Sequence, residues 1–238
     1  LRLIGAGGMG AVYEADTPTG ERYAVKVLSE QPQGTEGSQT LARFIREAKV
    51  SSSLSNPHIV PTYDGGVDPG TGLPFLVMQL LYGEDLDTLV GRIGPLHPVV
   101  ASRVALQAAK GFAAAHGAGF VHRDVKPSNL FLSIHGDQVT VKVCDFGLAK
   151  ARSADQQLTI TGSILGSPLY MAPEQIDNPR HVDLRADVWS LGMTLYQALA
   201  GLPALHRAAT FSELAVAVTT KPVPHVQDAA PWVDPGLA

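Results

Sequence analysis

The residues with the greatest chemical potential lie in two short stretches. His122-Arg123-Asp124-Val125-Lys126-Pro127-Ser128-Asn129 sets a carboxylate, two cations and an amide side by side, directly before an apolar run that reads as a strand. Asp145-Phe146-Gly147 follows the next such run. A hairpin of the two runs brings Asp124, Asn129 and Asp145 to one mouth. Two carboxylates and an amide oxygen are hard ligands suited to Mg²⁺, which binds through one or two carboxylates together with phosphate oxygens. Lys126, two residues after Asp124, can offset charge on a transferring phosphoryl group. Loop caps and ion pairs are the plainer alternative, but they do not explain why all three oxygen ligands fall at strand ends.

A second group lies near the start. Gly5-Ala6-Gly7-Gly8-Met9-Gly10-Ala11-Val12 carries the pattern G-x-G-x-x-G-x-V, a weak signal by itself in a chain with 24 glycines. A dinucleotide fingerprint needs the glycines to lead from a strand into a helix. Here they sit between two strands, where they let the backbone approach phosphates while Val12 covers an adenine. A ligand-free glycine hairpin is the alternative. In Ala24-Val25-Lys26, period two puts Ala24 and Lys26 on one face. An inward lysine needs an anion, either phosphate or Glu47, to offset its desolvation; an edge-strand lysine in water is the other reading.

The elements that must hold these residues can be read from periodicity. Ala11–Ala15 and Arg22–Leu28 are strands around the turn Thr17-Pro18-Thr19-Gly20. Leu41, Phe44, Ile45 and Ala48 follow helical spacing, ended by Asn56-Pro57. Strands are expected at Ile59–Tyr63 and Phe75–Gln79, joined by a turn-rich Gly65–Pro74. After Gly83 the pattern becomes helical, with Val104, Ala108, Phe112 and Ala115 forming a buried stripe. Leu130–Ile134 and Val139–Cys144 form a hairpin around His135-Gly136-Asp137, followed by an irregular stretch to about Pro173 and then further helices. A mostly β part followed by a mostly α part is an α+β arrangement, with its boundary near residues 80–83.

Composition narrows the function classes. At 238 residues the chain exceeds the usual ~100–200 of one domain, so one large domain or two lobes fit best. A hydrophobic fraction of 45% and a charged fraction of 17% support a sizeable core and exclude global disorder. The net charge of −4 argues against a nonspecific nucleic-acid or anionic-membrane binder. One cysteine cannot make an internal disulfide, which suits a reducing, cytoplasmic setting. Val188–Leu205 is uncharged, but Ser190, Gly192, Thr194, Gln197, Gly201 and Pro203 dilute it, so a buried helix is expected rather than a membrane span. Both ends read as cut from a longer protein, whose missing part can hold a membrane anchor.

Taken in order, the glycine loop 5–12, Ala24-Val25-Lys26, Glu47, the loop 122–129, Asp145-Phe146-Gly147, Ala172-Pro173-Glu174 and Asp187-Val188-Trp189-Ser190-Leu191-Gly192 resemble the motif set of protein kinases. The resemblance runs from Ile4 to about Leu205. It implies a bilobal fold: an antiparallel β-sheet N-lobe with one helix (1–79), a hinge (80–83) and a larger, mainly helical C-lobe (84–238) lacking its final helices. It implies ATP and Mg²⁺ as cofactors. Lys26 would contact the phosphates and pair with Glu47, Asp124 would accept the substrate hydroxyl proton, and Asn129 and Asp145 would hold the metal. Gly5, Ala6, Gly7, Gly8 and Gly10 would cover the phosphates. Ile4, Val12, Ala24 and Phe131 would sandwich the adenine, backbone groups of Gln79 and Leu81 would bond its edge, and Met78 would line the back. Asp85 would reach the ribose. Cys144 would line the pocket, His122 would pack, and Asp187 would orient the catalytic loop.

Lys126-Pro127-Ser128-Asn129 and Gly166–Gln175 are similar to the serine/threonine class, and the wording of the glycine loop and of Met171–Gln175 to its bacterial members. Ser167 would bridge Asp124 and Lys126. Arg123 beside Asp124 would depress the carboxylate's basicity unless another anion engaged it. With Lys150, it is expected to meet a phosphate added to Thr159, Thr161 or Ser163 by autophosphorylation. The expected partners are protein serine or threonine residues and a second copy of the chain during that step. A silent nucleotide-binding scaffold would have lost Lys26, Asp124 or Asp145, and a small-molecule phosphotransferase would lack Ala172-Pro173-Glu174.

Overall fold

A computed structural model describes residues 1–7, 10–28, 52, 54–145 and 167–238. Residues 41–48, read as a helix, and the stretch from 146 to 166 lie outside the described residues. Five antiparallel strands form the first sheet: β1 (Arg2–Gly7), β2 (Gly10–Asp16), β3 (Arg22–Leu28), β4 (Thr62–Val67) and β5 (Pro74–Gln79), in the order β1-β2-β3-β5-β4. Gly7 pairs with Gly10, so the glycine motif is the β1–β2 turn, as its strand–loop–strand context required. Glu14 on β2 is buried between Arg2 and Arg22, which pair with both of its carboxylate oxygens.

One strand is displaced from its expected place. Residues 62–67 form β4, whereas Ile59 makes an isolated bridge to Val143 and the Val60 N–H donates to the Val143 carbonyl at 3.1 Å. The segment Asp64-Gly65-Gly66 carries no alternating apolar pattern, so nothing local marks it as a strand. Main-chain pairing with β5 holds it at the sheet edge, with an irregularity between Thr62 and Asp64.

The remainder is built on helices. They are α1 (Leu86–Ile93), α2 (Pro98–Gly117), α3 (Pro173–Asp177), α4 (Arg185–Ala200), α5 (Phe211–Thr220) and α6 (Val226–Ala229). A second sheet, β6 (Gly83–Asp85), β7 (Leu130–His135) and β8 (Gln138–Val143), is set among them. Val104, Ala108 and Phe112 of the α2 stripe are buried in one core with Leu130, Val141, Val143, Met193 and Leu199, and Ala115 of the same stripe is buried as well. On that helix Gly111 lies against the preceding loop: a Cβ there would stand 2.8 Å from the His58 carbonyl oxygen and 3.1 Å from Val143 Cγ2.

The outer edge of β8 is covered rather than open. Gln107 of α2 accepts the Val141 N–H at 2.9 Å, and the Val143 N–H donates to the His58 carbonyl at 2.8 Å. Such cover prevents strand addition at this edge. Helix α4 ends where Gly201 takes the left-handed conformation (φ 79°) that terminates helices cheaply, two residues before Pro203. Among the described residues no helix is long and apolar enough to cross a membrane.

Candidate active site

The register of the first sheet assembles one wall. Val12 stands opposite Lys26, and Ala24 opposite Met78. Because directly paired residues share a face and Ala24 and Lys26 are two apart, Val12, Ala24, Lys26 and Met78 all point the same way. Ala24 and Lys26 are buried, Val12 and Met78 half-buried, and Ile4 exposed. Gly5 stands opposite Val12 in the neighbouring pair.

The glycines of the turn differ in what demands them. Gly10 has φ 150°, and a Cβ on it would fall 2.0 Å from the Val27 carbonyl oxygen, so the fold excludes any other residue. Among the described residues, a Cβ at Gly7 would meet nothing within 4 Å, and one at Gly5 would meet Val12 alone, at 4.0 Å. Contacts among the described residues therefore require Gly10 but not Gly5 or Gly7. Ala6 is exposed on β1, and Gly8 lies outside the described residues.

Lys26 reaches across to the second sheet. Its Nζ donates to Asp145 Oδ1 at 2.6 Å, immediately past the end of β8. The sequence left phosphate or Glu47 as the anion for this lysine. The partner found is instead a carboxylate 119 positions away, and Glu47 lies outside the described residues. Asp145 has φ 61°, a conformation that L-residues rarely adopt.

Asp124, Lys126 and Asn129 form the opposite wall. Lys126 Nζ stands 2.8 Å from Asp124 Oδ2. The Asn129 Nδ2 donates to the Asp124 carbonyl at 2.8 Å and to its Oδ2 at 3.2 Å. Both amide hydrogens of Asn129 are thus directed at Asp124, and its side-chain carbonyl oxygen has no donor among the described residues. That donor set suits a hard divalent cation: an amide oxygen and the Asp145 carboxylate, the remainder to come from phosphate and water. Among the described residues no three His, Cys, Asp or Glu side chains gather as a self-sufficient metal cage.

The loop carrying Asp124 is gripped from α4. Asp187, 1% exposed, accepts the His122 N–H at 2.8 Å and the Arg123 N–H at 2.7 Å, and it faces His116 Nε2 at 2.7 Å. Arg123 has φ 66°, a left-handed conformation costing about 1–2 kcal/mol that such gripping maintains. His122 is fully buried, with its ring edge-on to Phe112 at 5.7 Å. Its Nδ1 receives the Asp124 N–H at 3.2 Å, so Nε2 carries the hydrogen donated to the Cys144 carbonyl at 2.9 Å. Both ring nitrogens are occupied by backbone, a packing role rather than that of a base.

Arg123 Nη2 donates to the Val182 carbonyl at 2.9 Å, and its buried Nε has no acceptor among the described residues. Lys150, Thr159, Thr161 and Ser163 lie outside the described residues. Ser167 opens the 3₁₀ turn Ser167–Tyr170, but its side chain is likewise outside what is described.

The residues expected around a purine fall near the link between the sheets. The Gln79 N–H is taken by the Pro61 carbonyl at 3.0 Å, so a base edge could use only its carbonyl. No protein acceptor for the Leu81 N–H is found among the described residues. Phe131 is half-buried on β7 between Asp85 and Lys142 in the ladder. Asp85 caps α1, its two oxygens accepting the Thr88 N–H at 2.9 Å and the Thr88 hydroxyl at 2.8 Å, and this capping accounts for a carboxylate there. Burial and the adjacent Asp145 carboxylate push the Cys144 thiol up, against the smaller opposing effect of Lys26.

Sequence reasoning gave no role to Gly83 or Gln175. Gly83, at φ 135°, would place a Cβ 2.0 Å from the Leu132 carbonyl oxygen, a close approach invisible before the fold is known. Gln175 of α3 bonds both its own helix entry and the Arg123 carbonyl.

With this geometry in place, comparison with known proteins is decisive. The family profile described as "Protein kinase domain" matches residues 1–231. The chain belongs to the protein kinase family. Serine/threonine-protein kinase PknE of Mycobacterium tuberculosis is 41% identical over 204 residues, 85% of this chain and 34% of that protein. Serine/threonine-protein kinase PknH of the same organism is 38% identical over 234 residues, 98% of this chain and 36% of that protein. The probable serine/threonine-protein kinase pknA2 of Bifidobacterium longum is 40% identical over 203 residues, 84% of this chain and 26% of its own length. This kinase domain therefore spans roughly a quarter to a third of these relatives. Its fold matches the crystal structure of the M. tuberculosis PknI kinase domain with a TM-score of 0.72 at 27% identity, over 97% of this chain and 80% of that one. It is a kinase domain of the bacterial serine/threonine type, with the expected α+β architecture.

Proposed function

We propose that this domain transfers the γ-phosphoryl group of ATP to protein serine and threonine hydroxyls, with Asp124 as the group that takes the hydroxyl proton. One observation carries the reading. Lys126 and Asn129 both engage the Asp124 carboxylate, while Lys26 and Asp145 meet across the two sheets. The Cys144 N–H donates to the Asn129 main-chain carbonyl at 2.9 Å, which sets the two groups, with their two ammonium groups, two carboxylates and an amide, at adjoining strand ends. Glycines at positions 5 and 7 add support, since contacts among the described residues give no reason for them there. Their value lies in leaving the backbone bare where phosphates approach.

Asn129 and Asp145 would hold Mg²⁺, which when bound neutralises charge on the phosphates. The remaining work belongs to the chain. Lys26 orients the α- and β-phosphates and Lys126 offsets charge on the transferring group. Val12, Ala24, Met78 and Phe131 enclose the base, Ile4 covers it from the sheet edge, and the Gln79 carbonyl with the Leu81 N–H reads its rim. Asp124, held by Lys126 and Asn129, faces the incoming hydroxyl.

Activation belongs to the same reading. Phosphate on Thr159, Thr161 or Ser163 would engage Arg123, whose Nε has no acceptor among the described residues, together with Lys150. The assay is transfer from labelled ATP to a casein-like protein. Asp124→Asn is expected to lower the rate at least about a hundredfold. Equal rates in the two proteins would reject Asp124 as the base, and transfer to an aminoglycoside but not to protein would reject the substrate class. For the switch, the Thr159→Ala/Thr161→Ala double variant should lose most activity together with its loop phosphate in the mass spectrum. Full activity without that phosphate would dismiss it.

A further inference from the structure

We propose that Gln175 is a positioning residue for Asp124, acting as a two-ended clamp between the entry of α3 and the catalytic loop. The inference rests on the reading of Asp124 as the proton acceptor. Gln175 is the third residue of α3, a place where glutamine or glutamate commonly reaches back to the helix entry. Its Oε1 does so, accepting the Ala172 N–H at 2.9 Å. That bond fixes the orientation of the amide, and the Nε2 left over donates to the Arg123 carbonyl at 2.9 Å, across 52 positions of sequence. The carbonyl belongs to the peptide joining Arg123 to Asp124. Asp187 holds the N–H on the other side of Arg123 at 2.7 Å. The left-handed residue just before the catalytic carboxylate is therefore pinned on both flanks, by α4 through Asp187 and by α3 through Gln175. Ala172 in turn follows the Ser167–Tyr170 turn, which is tied down by the Ser190 hydroxyl donating to the Tyr170 carbonyl at 2.7 Å. The tilt of the Arg123–Asp124 peptide is thus mechanically joined to the segment that precedes Ala172-Pro173-Glu174.

Capping alone needs only an acceptor at position 175, and glutamate would serve as well. The clamp needs a donor too, which glutamate lacks when ionised. Gln175→Glu separates the two roles. It keeps the bond to the Ala172 N–H and sets an anionic oxygen against the Arg123 carbonyl. Steady-state kinetics on a casein-like protein with MgATP, at several pH values, provide the test. If the clamp operates, kcat falls roughly tenfold or more while the KM for ATP stays within about twofold, because misplacing a reacting group by a fraction of an ångström is expensive. The rate relative to wild type should recover in part as pH drops to about 5, because the facing Arg123 carbonyl disfavours the ionised carboxylate and the protonated one regains a donor. Gln175→Met, which removes the donor without adding the opposing charge, should lose less kcat than Gln175→Glu and decides the matter if the latter unfolds. A kcat equal to wild type in both variants, or a loss that does not change with pH, overturns the clamp. If wild type transfers phosphate and Asp124→Asn does not, such a result counts against Gln175 alone. If Asp124→Asn is as active as wild type, the clamp falls together with the role of Asp124.

Discussion

Asp145 and Lys26 illustrate how little a side chain's identity says about its state. Both were marked by type and spacing, yet their 2.6 Å contact places a carboxylate and an ammonium from different sheets against each other. Cys144, next to Asp145, bears the consequence. Burial, with Asp145 and Asp85 beside it, outweighs Lys26 and Lys142 and raises the thiol above its ordinary value of about 8.5. The thiolate is the reactive form, so a raised value means less of it at pH 8 than in a free cysteine. Alkylation by iodoacetamide, followed by mass, should therefore be slow at pH 8 and still climbing at pH 9.5. The same protein in denaturant should react quickly and level off near pH 9. Levelling off below pH 8.5 in the folded protein would reverse the sign.

Element by element, the catalytic loop is a strained segment maintained by its neighbours. Helix α4 is apolar on average but carries a buried polar line: Asp187, Ser190, Thr194 and Gln197. Asp187 holds the loop, Ser190 holds the Tyr170 carbonyl, and Gln197 joins the Tyr170 hydroxyl to Asp87 of α1, donating to the latter at 3.0 Å. A buried polar group without a partner costs about 1–3 kcal/mol, so this line fixes which segments can dock there. Helix α2 is set by packing instead. Alanine favours a helix interior over glycine by about 1 kcal/mol, yet at position 111 a Cβ would press on the His58 backbone at 2.8 Å. Gly111→Ala should therefore destabilise the domain by about 1–2 kcal/mol in urea unfolding. A stabilised variant would show that α2 can draw back from the 56–60 loop.

Across the whole molecule, the two sheets are joined by main chain at Val60 and Val143 and by the Lys26–Asp145 pair. A nucleotide bound between them adds its binding energy to folding, about 2.7 kcal/mol at a hundred times the dissociation constant. For a domain of this length that corresponds to a rise in Tm of about 5–10 °C with MgADP. Lys26→Met and Asp145→Asn should each shrink the rise, and for Asp145→Asn the dependence on added magnesium should shrink with it. No rise in the unaltered domain would contradict a nucleotide site here.

Much of this architecture was legible from local pattern. Strands β2, β3, β5, β7 and β8 and the buried stripe of α2 follow periods that report which face is covered, and Gly10 announces a turn that no other residue could make. β4 escaped because Asp64-Gly65-Gly66 has no periodic face, and it exists only because β5 offers a partner edge. Residue type and short-range spacing were enough to say which chemical groups are present and that strand ends carry them. Packing over long sequence distances is what sets Lys26 against Asp145 and Gln175 against the Arg123 carbonyl. A hydrophobic period tells an element to be covered but not by what, and hydrogen bonds between distant segments are settled only when packing brings their donors and acceptors within reach.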